Sequence, residues 1–336
     1  MKINILCELQ EGPFGGGNQF LKALKNEFER QDLYIDDPNN ADVIIFNSYP
    51  FRDEYRFRQI LNLKKKDKIL LHRIDGPISV YREKDRFIDK ILYYFNQSFV
   101  DGTIFQSLWS ERSNHELGMK HNKYEKVIIN APDPKIFYHG NNQKKYEDGK
   151  IKIIITSWSA NWWKGFDIYQ YLDAELDFNK YDILFIGNSP ITFKNFRTIE
   201  PLPSNELAEY LRNSDIFISA SFMESCSNAL LEAMHCGCVP VARNNSSHPE
   251  IVGDAGVIFY GIDDVLKKID EAASKLDYFQ PKINLPNIET IANKYIDFSK
   301  TIFSKKEQRT YDVKKGNIFN YYYIMLMVYF RKLKRL

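Results

Sequence analysis

The feature of this sequence that most restricts its fold is a repeated alternation of short β-branched runs with longer segments of helical spacing. Segments such as residues 18–30 carry apolar side chains every three or four positions. Strand-like apolar runs flank these segments in the first half of the chain, at residues 3–7, 42–46, 68–72, 102–105 and 126–129. Strands that alternate with helices predict a parallel sheet covered by helices.

The same alternation begins again after a polar stretch at residues 138–150, which lacks apolar periodicity and is typical of a linker. Strand-like runs then fall at 151–157, 181–186, 216–220, 239–242 and 256–259, and helical segments at 166–175, 204–212, 228–236 and 261–275. The 336 residues also exceed what one core needs. We therefore predict two doubly wound α/β domains, with ligands bound at the carboxyl ends of strands.

Charge and cysteine content exclude several classes of protein. The chain has 46 Lys and Arg against 44 Asp and Glu, and a net charge of +2 gives no overall attraction to nucleic acid. Four cysteines are too few for a disulfide scaffold, so a reducing cytoplasm is the expected compartment. His235, Cys236 and Cys238 lack a second cysteine pair, so we expect them to pack at a helix end and to bind no metal.

The most informative segment follows the strand predicted at 216–220. Ser227 is a typical N-cap and Gly237 a typical residue just after a helix, so a short helix lies between them. Glu224 precedes this helix, and Glu232 lies just over one turn inside it. Free amides at a helix start suit a diphosphate, and carboxylates suit sugar hydroxyls. The alternative is that both glutamates belong to a solvated helix face.

This spacing of two glutamates, within Glu-Ser-Cys-Ser-Asn-Ala-Leu-Leu-Glu, resembles the retaining family 4 glycosyltransferases, the glycosyl transferases group 1. The resemblance covers about residues 5–300 and extends to the glycine loop at 15–18 and to the segments 130–137, 164–167 and 250–256. It implies an α/β protein with the GT-B fold, in which two Rossmann-like, doubly wound domains face a central cleft.

The resemblance, together with the predicted linker, divides the chain into four parts. Residues 1–140 are expected to form an amino-terminal Rossmann-like domain on the acceptor side, and residues 141–286 a carboxyl-terminal Rossmann-like domain on the nucleotide-sugar donor side. Residues 287–308 are expected to form a helix that returns to the first domain. Residues 309–336 form a basic, aromatic tail.

The resemblance also implies roles for individual residues. Glu224 is expected to contact the donor sugar hydroxyls, Lys164 the diphosphate and Glu232 the nucleotide ribose. The remaining donor-binding residues are expected to be Gly16, Gly17, Gly165, Ser225, Cys226, Ser227 and Asn228. Neither a metal nor a cofactor is expected, because Lys164 can neutralise the leaving diphosphate and the nucleotide sugar is a co-substrate.

Three positions in this pattern need separate treatment. Asp75 stands where many relatives have a His, and we expect it to act in catalysis by bonding the donor sugar or stabilising positive charge; the alternative is a cap for the turn at Gly76. Arg73 is a candidate contact for an anionic acceptor or a phosphate. Ser159 replaces an Arg that relatives commonly have, which removes one phosphate-binding cation and makes an inactive protein the alternative.

The tail at residues 309–336 carries seven Lys or Arg against one Asp, together with an aromatic apolar run of about a dozen residues. This run is too short to span a bilayer. It predicts either an interfacial membrane anchor or a terminal helix packed on the first domain. The expected location is the cytoplasm, at the cytoplasmic face of a membrane if the tail is an anchor.

Taken together, the residues and the resemblance predict a glycosyltransferase that transfers a sugar from a nucleotide-sugar donor to a carbohydrate or lipid-linked acceptor. Retention of configuration and a place in cell-surface polysaccharide or glycolipid biosynthesis are implied by the resemblance. The alternative is a catalytically inactive subunit that binds a nucleotide sugar or glycan and recruits a partner to the membrane. No nucleic-acid partner is expected.

Overall fold

The structure is a computed structural model, and it describes residues 1–10, 15–47, 54–82, 85–140 and 149–333. The predicted linker at 138–150 therefore falls mostly outside the described residues, as do the last three residues of the tail.

The strands of the described chain form two sheets, and every pairing in them is parallel. The strands are β1 (Ile3–Leu6), β2 (Val43–Asn47), β3 (Ile69–Ile74), β4 (Gly102–Phe105), β5 (Tyr124–Val127), β6 (Ile151–Ser157), β7 (Tyr181–Gly187), β8 (Arg197–Ile199), β9 (Ile216–Ser219), β10 (Val239–Arg243) and β11 (Val257–Phe259). Parallel pairing requires crossover connections, which the helices supply.

The helices alternate with these strands along most of the described chain. They are α1 (Gly16–Arg30), α2 (Glu54–Lys65), α3 (Ile78–Arg82), α4 (Arg86–Phe99), α5 (Leu108–Glu116), α6 (Phe166–Glu175), α7 (Ser204–Arg212), α8 (Asn228–His235), α9 (His248–Val252), α10 (Val265–Ser274), α11 (Leu276–Phe279), α12 (Ile288–Glu307) and α13 (Ile318–Leu333). Short 3-10 helices lie at Trp162–Lys164 and Gln280–Lys282.

The contacts divide the chain into two compact units. The first unit is Met1–Glu8, Leu24–Ile129 and Glu289–Leu336, and the second unit is Leu9–Ala23 and Asn130–Ile288. This division differs from the predicted bounds in that residues 130–140 and Leu9–Ala23 belong with the second unit. Leu9–Ala23 is the larger difference. The physical reason lies in Gly16, whose missing side chain leaves room for the side chain of Asn228.

The sheet of the first unit has the order β1-β2-β3-β4-β5. Ile3 pairs with Val43 of β2 and also forms a parallel bridge with Tyr34, so Tyr34 lies on the other side of β1. The chain therefore pairs first on one side of β1 and then on the other, as in a doubly wound sheet, while all strands stay parallel. Strands β1, β2 and β3 are buried on both faces, which explains their continuous apolar runs.

The sheet of the second unit has the order β11-β10-β9-β6-β7-β8. The chain adds β7 and β8 on one side of β6 and then β9, β10 and β11 on the other, so the strand order reverses between β6 and β9. This is the doubly wound arrangement that the alternating pattern predicts. The short edge strand β8 was not predicted because its Arg-Thr-Ile sequence contains no apolar run and is largely exposed. One core cluster of this unit lines a single face of the sheet and includes Ile155, Phe185 and Phe259.

Helix α13 packs on the first unit through one face. Ile324 and Val328 are buried in the same core cluster as Phe95 of α4 and Ile60 of α2. The buried guanidinium of Arg331 is paired with Asp85, with Nη2 2.6 Å from Oδ2. This face of α13 therefore packs as a terminal helix on the first unit, which is one of the two alternatives predicted for the tail. No helix in the described ranges is long and apolar enough to cross a membrane.

Candidate active site

The candidate active site lies at the carboxyl ends of β6 and β9, where the strand order of the second unit reverses. The two strands pair through Ile153 with Ile216 and Ile154 with Phe217. One loop leads from β6 to the 3-10 helix Trp162–Lys164, and another leads from β9 to α8. Because parallel strands end at the same edge of a sheet, side chains from the two loops lie together.

Lys164 and Glu224 form an ion pair across these two loops. The Lys164 ammonium Nζ donates to Glu224 Oε1, and both side chains remain about one fifth exposed, at 23% and 20%. The pair joins positions 60 residues apart in the sequence. An ammonium has three N–H donors, so Lys164 can hold Glu224 and still donate to a bound anion.

Two opposed effects set the protonation state of Glu224. Burial acts to raise the pKa of its carboxyl, but the charge and the hydrogen bond of Lys164 oppose burial, and the pKa is lowered overall. The carboxylate is therefore ionised at neutral pH and is available as an acceptor for hydroxyl groups.

Gly165 holds Lys164 in place by its backbone conformation and by its small size. Its φ of 96° lies in the left-handed region, and a Cβ built there would overlap Ala220, the residue after β9. Asn161 caps the preceding 3-10 helix, because its side-chain oxygen accepts from the Trp163 amide at 3.1 Å. The structure thus gives Gly165 a packing role beside Lys164.

Glu224 is held by the loop that follows β10. The Met223 amide donates to Asn245 Oδ1 at 2.8 Å, and the Glu224 amide donates to Ser246 Oγ at 2.9 Å. These bonds hold Met223 at a φ of 56°, which a residue with a side chain rarely adopts. Nothing in the sequence indicates these roles for Asn245 and Ser246, since polar residues after a strand are typical of any turn.

The start of α8 brings several predicted residues together. Cys226 and Ser227 are buried, and Asn228 begins the helix. The Asn130 amide donates to Cys226 Sγ at 3.5 Å, and Asn130 Nδ2 donates to Asn228 Oδ1 at 3.0 Å. Ser227 precedes the helix but forms no side-chain cap. The amides of the first turn of α8 have no partners within the helix, so they are able to bind an anion.

Glu232 lies one turn beyond Asn228 on the same face of α8. Its side chain is partly buried, and this burial raises the pKa of its carboxyl to about 8. Glu224 and Glu232 therefore differ in charge state near neutral pH. The difference arises because Lys164 offsets the effect of burial on the pKa of Glu224 and not on that of Glu232.

The two predicted glycines before α1 have different surroundings. A Cβ built at Gly16 would overlap the side chain of Asn228, whereas a Cβ built at Gly17 would meet nothing within 4 Å. Gly16 therefore allows the close approach of the loop to α8. Gly17 has no such steric requirement.

The residues that raised questions in the sequence analysis of this unit have structural roles. The Ser159 hydroxyl accepts from the Asn161 amide at 3.2 Å, so it supports the loop that leads to Lys164. Cys236 and Cys238 are buried, and Cys238 Sγ lies 3.1 Å from the Leu211 carbonyl oxygen. His235 Nδ1 lies 2.8 Å from the Leu231 carbonyl oxygen.

Arg73 and Asp75 lie in the first unit, at and just after the end of β3. Arg73 is only 1% exposed, with Nη1 2.5 Å from Asn47 Oδ1 and Nη2 2.5 Å from Gln106 Oε1. The Gln106 amide nitrogen donates in turn to Asp75 Oδ1. Gln106 therefore connects the two predicted residues, and the burial of Arg73 favours a role in positioning Asp75 over direct contact with an acceptor or phosphate.

The backbone of Asp75 is also held from α5. Asn114 Nδ2 donates to the Asp75 carbonyl oxygen at 2.9 Å, and Asn114 Oδ1 accepts from the Tyr93 hydroxyl at 3.1 Å. The partly exposed Asp75 carboxylate thus sits on a fixed backbone. The sequence analysis missed Gln106 and Asn114, which lie more than 30 residues from Asp75 and belong to no recognised motif.

Residues 179–276 match the family model of glycosyl transferases group 1. An N,N'-diacetylbacillosaminyl-diphospho-undecaprenol alpha-1,3-N-acetylgalactosaminyltransferase of Campylobacter jejuni is 21% identical over an alignment of 250 positions, which covers 68% of this chain and 64% of the relative. The match thus spans less than two thirds of that relative's length. These matches confirm the resemblance to group 1 glycosyltransferases that the motifs indicate.

Solved structures of similar fold cover nearly all of the chain. Anabaena HepE, in complex with UDP and glucose, superposes with a TM-score of 0.65 at 13% identity, over 92% of this chain and 99% of that one. The lipopolysaccharide outer core galactosyltransferase WaaB gives 0.63 at 13% identity, over 91% and 100%. At this identity the likeness concerns the fold, and the predicted α/β GT-B fold is confirmed.

Proposed function

We propose that this chain, a GT-B protein that matches the group 1 glycosyltransferases, transfers a sugar from a nucleotide-sugar donor to an acceptor hydroxyl with retention of configuration. The observation that carries the proposal is the Lys164–Glu224 ion pair at the reversal point of the second sheet. An ammonium and an ionised carboxylate, placed together next to a helix start, match the charges and hydroxyls of a nucleotide sugar.

The donor is bound by three groups in this proposal. Lys164 and the amides at the start of α8 bind the diphosphate, and Glu224 accepts hydrogen bonds from the sugar hydroxyls. Glu232 accepts from the ribose hydroxyls. Because burial raises the pKa of Glu232 to about 8, an incoming ribose that donates to its carboxylate stabilises the ionised form.

In the proposed reaction the bond between the anomeric carbon and the donor phosphate oxygen breaks, and a bond to the acceptor oxygen forms on the same face. The acceptor proton passes to the departing phosphate. Lys164 stabilises the charge that develops on the diphosphate, so the protein supplies the cation itself. Asp75 is proposed to stabilise positive charge at the sugar, with Gln106 and Asn114 as its positioning residues.

The proposal is tested with a panel of nucleotide sugars added to the purified full chain, with and without a chelator. Binding is read by thermal shift, because a ligand that binds the folded state stabilises it. We expect a shift with one donor, of the same size with and without the chelator, together with slow release of free nucleotide and faster release with the correct acceptor. Nuclear magnetic resonance of the product reports the anomeric configuration. A shift without release, with acceptors supplied, would indicate an inactive binding subunit.

A pair of glycine variants tests the proposed donor site. In Gly16→Ala, the new methyl group overlaps Asn228 and displaces it from Asn130. Overpacking of this kind costs about 1–3 kcal/mol, so we expect the Kd of the nucleotide sugar to rise about tenfold. Gly261→Ala adds the same methyl group in open space, at a position outside the proposed site, and is the matched control. Equal donor affinity in the two variants would contradict this placement of the site.

We also propose that the outer face of α13 binds a membrane surface. This face carries a continuous row of exposed aromatic and apolar side chains at spacings of three or four residues: Phe319, Tyr322, Tyr323, Leu326, Tyr329, Phe330 and Leu333. Lys332 lies at the end of this face, and the sequence continues with two further basic residues, Lys334 and Arg335. Aromatic side chains favour the headgroup level of a bilayer, and Lys and Arg are attracted to anionic lipids.

A lipid-linked acceptor is consistent with this surface. The Campylobacter jejuni relative is named for transfer to a diphospho-undecaprenol acceptor, and WaaB is named as a lipopolysaccharide galactosyltransferase. We propose that this chain likewise glycosylates a lipid-linked or polysaccharide acceptor during assembly of a cell-surface glycan, at the cytoplasmic face of a membrane.

Vesicle binding tests the membrane surface. Leu326→Ser combined with Tyr329→Ser and Phe330→Ser removes apolar area from the exposed face, and we expect partition into anionic phospholipid vesicles to fall at least about tenfold. The control is Tyr278→Ser, because Tyr278 is an equally exposed aromatic residue (58%) in the second unit. If the triple variant and the control sediment equally with vesicles, α13 is not the membrane contact.

A further inference from the structure

Three side chains of the types that bind transition metals lie together in the first unit. His115 is at the end of α5, His121 is in the loop that follows, and Glu125 is on β5. One ligand atom from each lies within 4.8 Å of the other two. In the parts of the chain that the structure describes, this is the one cluster of three or more His, Cys, Asp or Glu with that property.

The ring orientation of His115 is fixed by a backbone carbonyl. His115 Nδ1 lies 2.9 Å from the Met119 carbonyl oxygen. Because a carbonyl oxygen can only accept, Nδ1 must carry the proton, and the lone pair of the neutral ring is on Nε2. A metal-binding His is commonly held in this way, with its other ring nitrogen donating to a carbonyl.

The Nε2 atom of His115 has no hydrogen-bond partner among the described residues, although it is buried. It lies 3.3 Å from Glu125 Oε2 without the geometry of a hydrogen bond. A lone pair beside a carboxylate oxygen is repulsive unless a cation is shared between them. The buried nitrogen and the carboxylate therefore form a site for a positive ion.

One distance within the cluster matches a tetrahedral metal. Ligands at the usual bond lengths of tetrahedral Zn²⁺ are about 3.3 Å from each other. His115 Nε2 is 3.3 Å from Glu125 Oε2, whereas His121 Nδ1 is hydrogen-bonded to the same oxygen at 2.8 Å and must give up this bond to bind an ion through Nδ1. Glu125 is oriented through its other oxygen, Oε1, which accepts from the Asn122 amide at 2.7 Å.

We propose that His115, His121 and Glu125 bind one Zn²⁺ ion. His115 binds through Nε2 and Glu125 through Oε2, His121 supplies an imidazole nitrogen, and the fourth position is open to water. Two imidazoles and one carboxylate favour zinc and neighbouring transition metals over Mg²⁺ or Ca²⁺, which prefer oxygen ligands.

The site lies at the amino-terminal end of β5, at the opposite edge of the sheet from Asp75, so its role is structural. The ion joins the end of α5 to β5. Asn114, the neighbour of His115 on α5, holds the backbone of Asp75. A bound ion thus stabilises the helix that positions Asp75 without contacting substrate. This proposal departs from the expectation, drawn from the sequence, that the protein binds no metal; the spacing of 115, 121 and 125 had not indicated a site.

The test is a Zn²⁺ titration of the full chain, after removal of metals, in competition with a chromophoric chelator. We expect one equivalent to bind. Loss of a residue that merely orients a zinc ligand weakens binding about 10- to 100-fold, so His115→Gln and Glu125→Gln should each weaken it about 100-fold. His139→Gln changes an exposed histidine outside the cluster and should bind as the unaltered chain does.

Two further measurements keep the test decisive. His121→Gln alters a side chain that is 77% exposed, so this variant should fold normally and still lose affinity. The Co²⁺-loaded chain should show nitrogen and oxygen ligation with no thiolate charge-transfer band. Absence of saturable binding at neutral pH, unchanged affinity in the three cluster variants, or a thiolate band from the cysteines would each overturn the proposal.

Discussion

We expect Glu224→Gln to lower kcat/KM for sugar transfer about 100- to 1,000-fold while the protein remains folded. The substitution keeps the shape of the side chain but removes the charge that pairs with Lys164. Preorganised charged groups of this kind contribute about 2.7–4 kcal/mol to catalysis, which corresponds to the expected loss in rate. Steady-state kinetics with the donor identified by the nucleotide-sugar panel measures the effect.

The matched control for this variant is Glu206→Gln, an exposed glutamate in the first turn of α7. Thermal unfolding of both variants shows whether the fold is intact. Activity of Glu224→Gln within about threefold of the control would mean that the ion pair is structural, since a lost charge–charge contact at a reacting centre costs more than this factor.

A large loss of stability is expected from Asp101→Ala. The Asp101 carboxylate is fully buried and accepts from Lys64 Nζ at 2.5 Å, the Leu70 amide at 2.8 Å, the Tyr311 hydroxyl at 3.0 Å and the Lys314 amide at 2.8 Å. Burial lowers the pKa of Lys64, and the Asp101 carboxylate opposes this effect. Removing one partner of a buried ion pair costs about 3–5 kcal/mol.

This loss should appear as a fall of about 10 °C in the Tm of the first unit, measured by calorimetry. Asp297→Ala, at an exposed position on α12, is the control. A double variant, Lys64→Met with Asp101→Asn, removes both charges and should recover part of the loss, because no uncompensated charge remains buried. An unchanged Tm in Asp101→Ala would show that the four hydrogen bonds contribute little to stability.

The part of the candidate site that the sequence predicts is local. Glu224, Ser227, Asn228 and Glu232 lie within nine consecutive residues, so helix periodicity and capping preferences place them without knowledge of the fold. Lys164 is predicted from its own short motif, and its position after a strand follows from the alternation of elements.

The residues that hold the site residues in place through hydrogen bonds were not predictable in the same way. Asn245 and Ser246 hold Glu224 from 22 positions away, and Gln106 contacts Asp75 from 31 positions away. Polar residues of these types occur in any loop, and nothing in their spacing indicates which backbone group they will meet. Arg73 shows the converse case, since its charge suggested a ligand contact and the fold buries it against two amides.

The sequence by itself determined the class of the fold and the positions of Glu224 and Glu232 relative to the start of α8, because hydrophobic periodicity acts over a few neighbouring residues. Tertiary structure decided which face of α13 is buried, which glycine must lack a side chain and which carboxylate is paired with Lys164. These outcomes depend on contacts between residues far apart in the chain. Such contacts exist only after the sheets have formed. Burial then raises the pKa of Glu232, whereas at Glu224 the charge and hydrogen bond of Lys164 outweigh burial and the pKa is lowered.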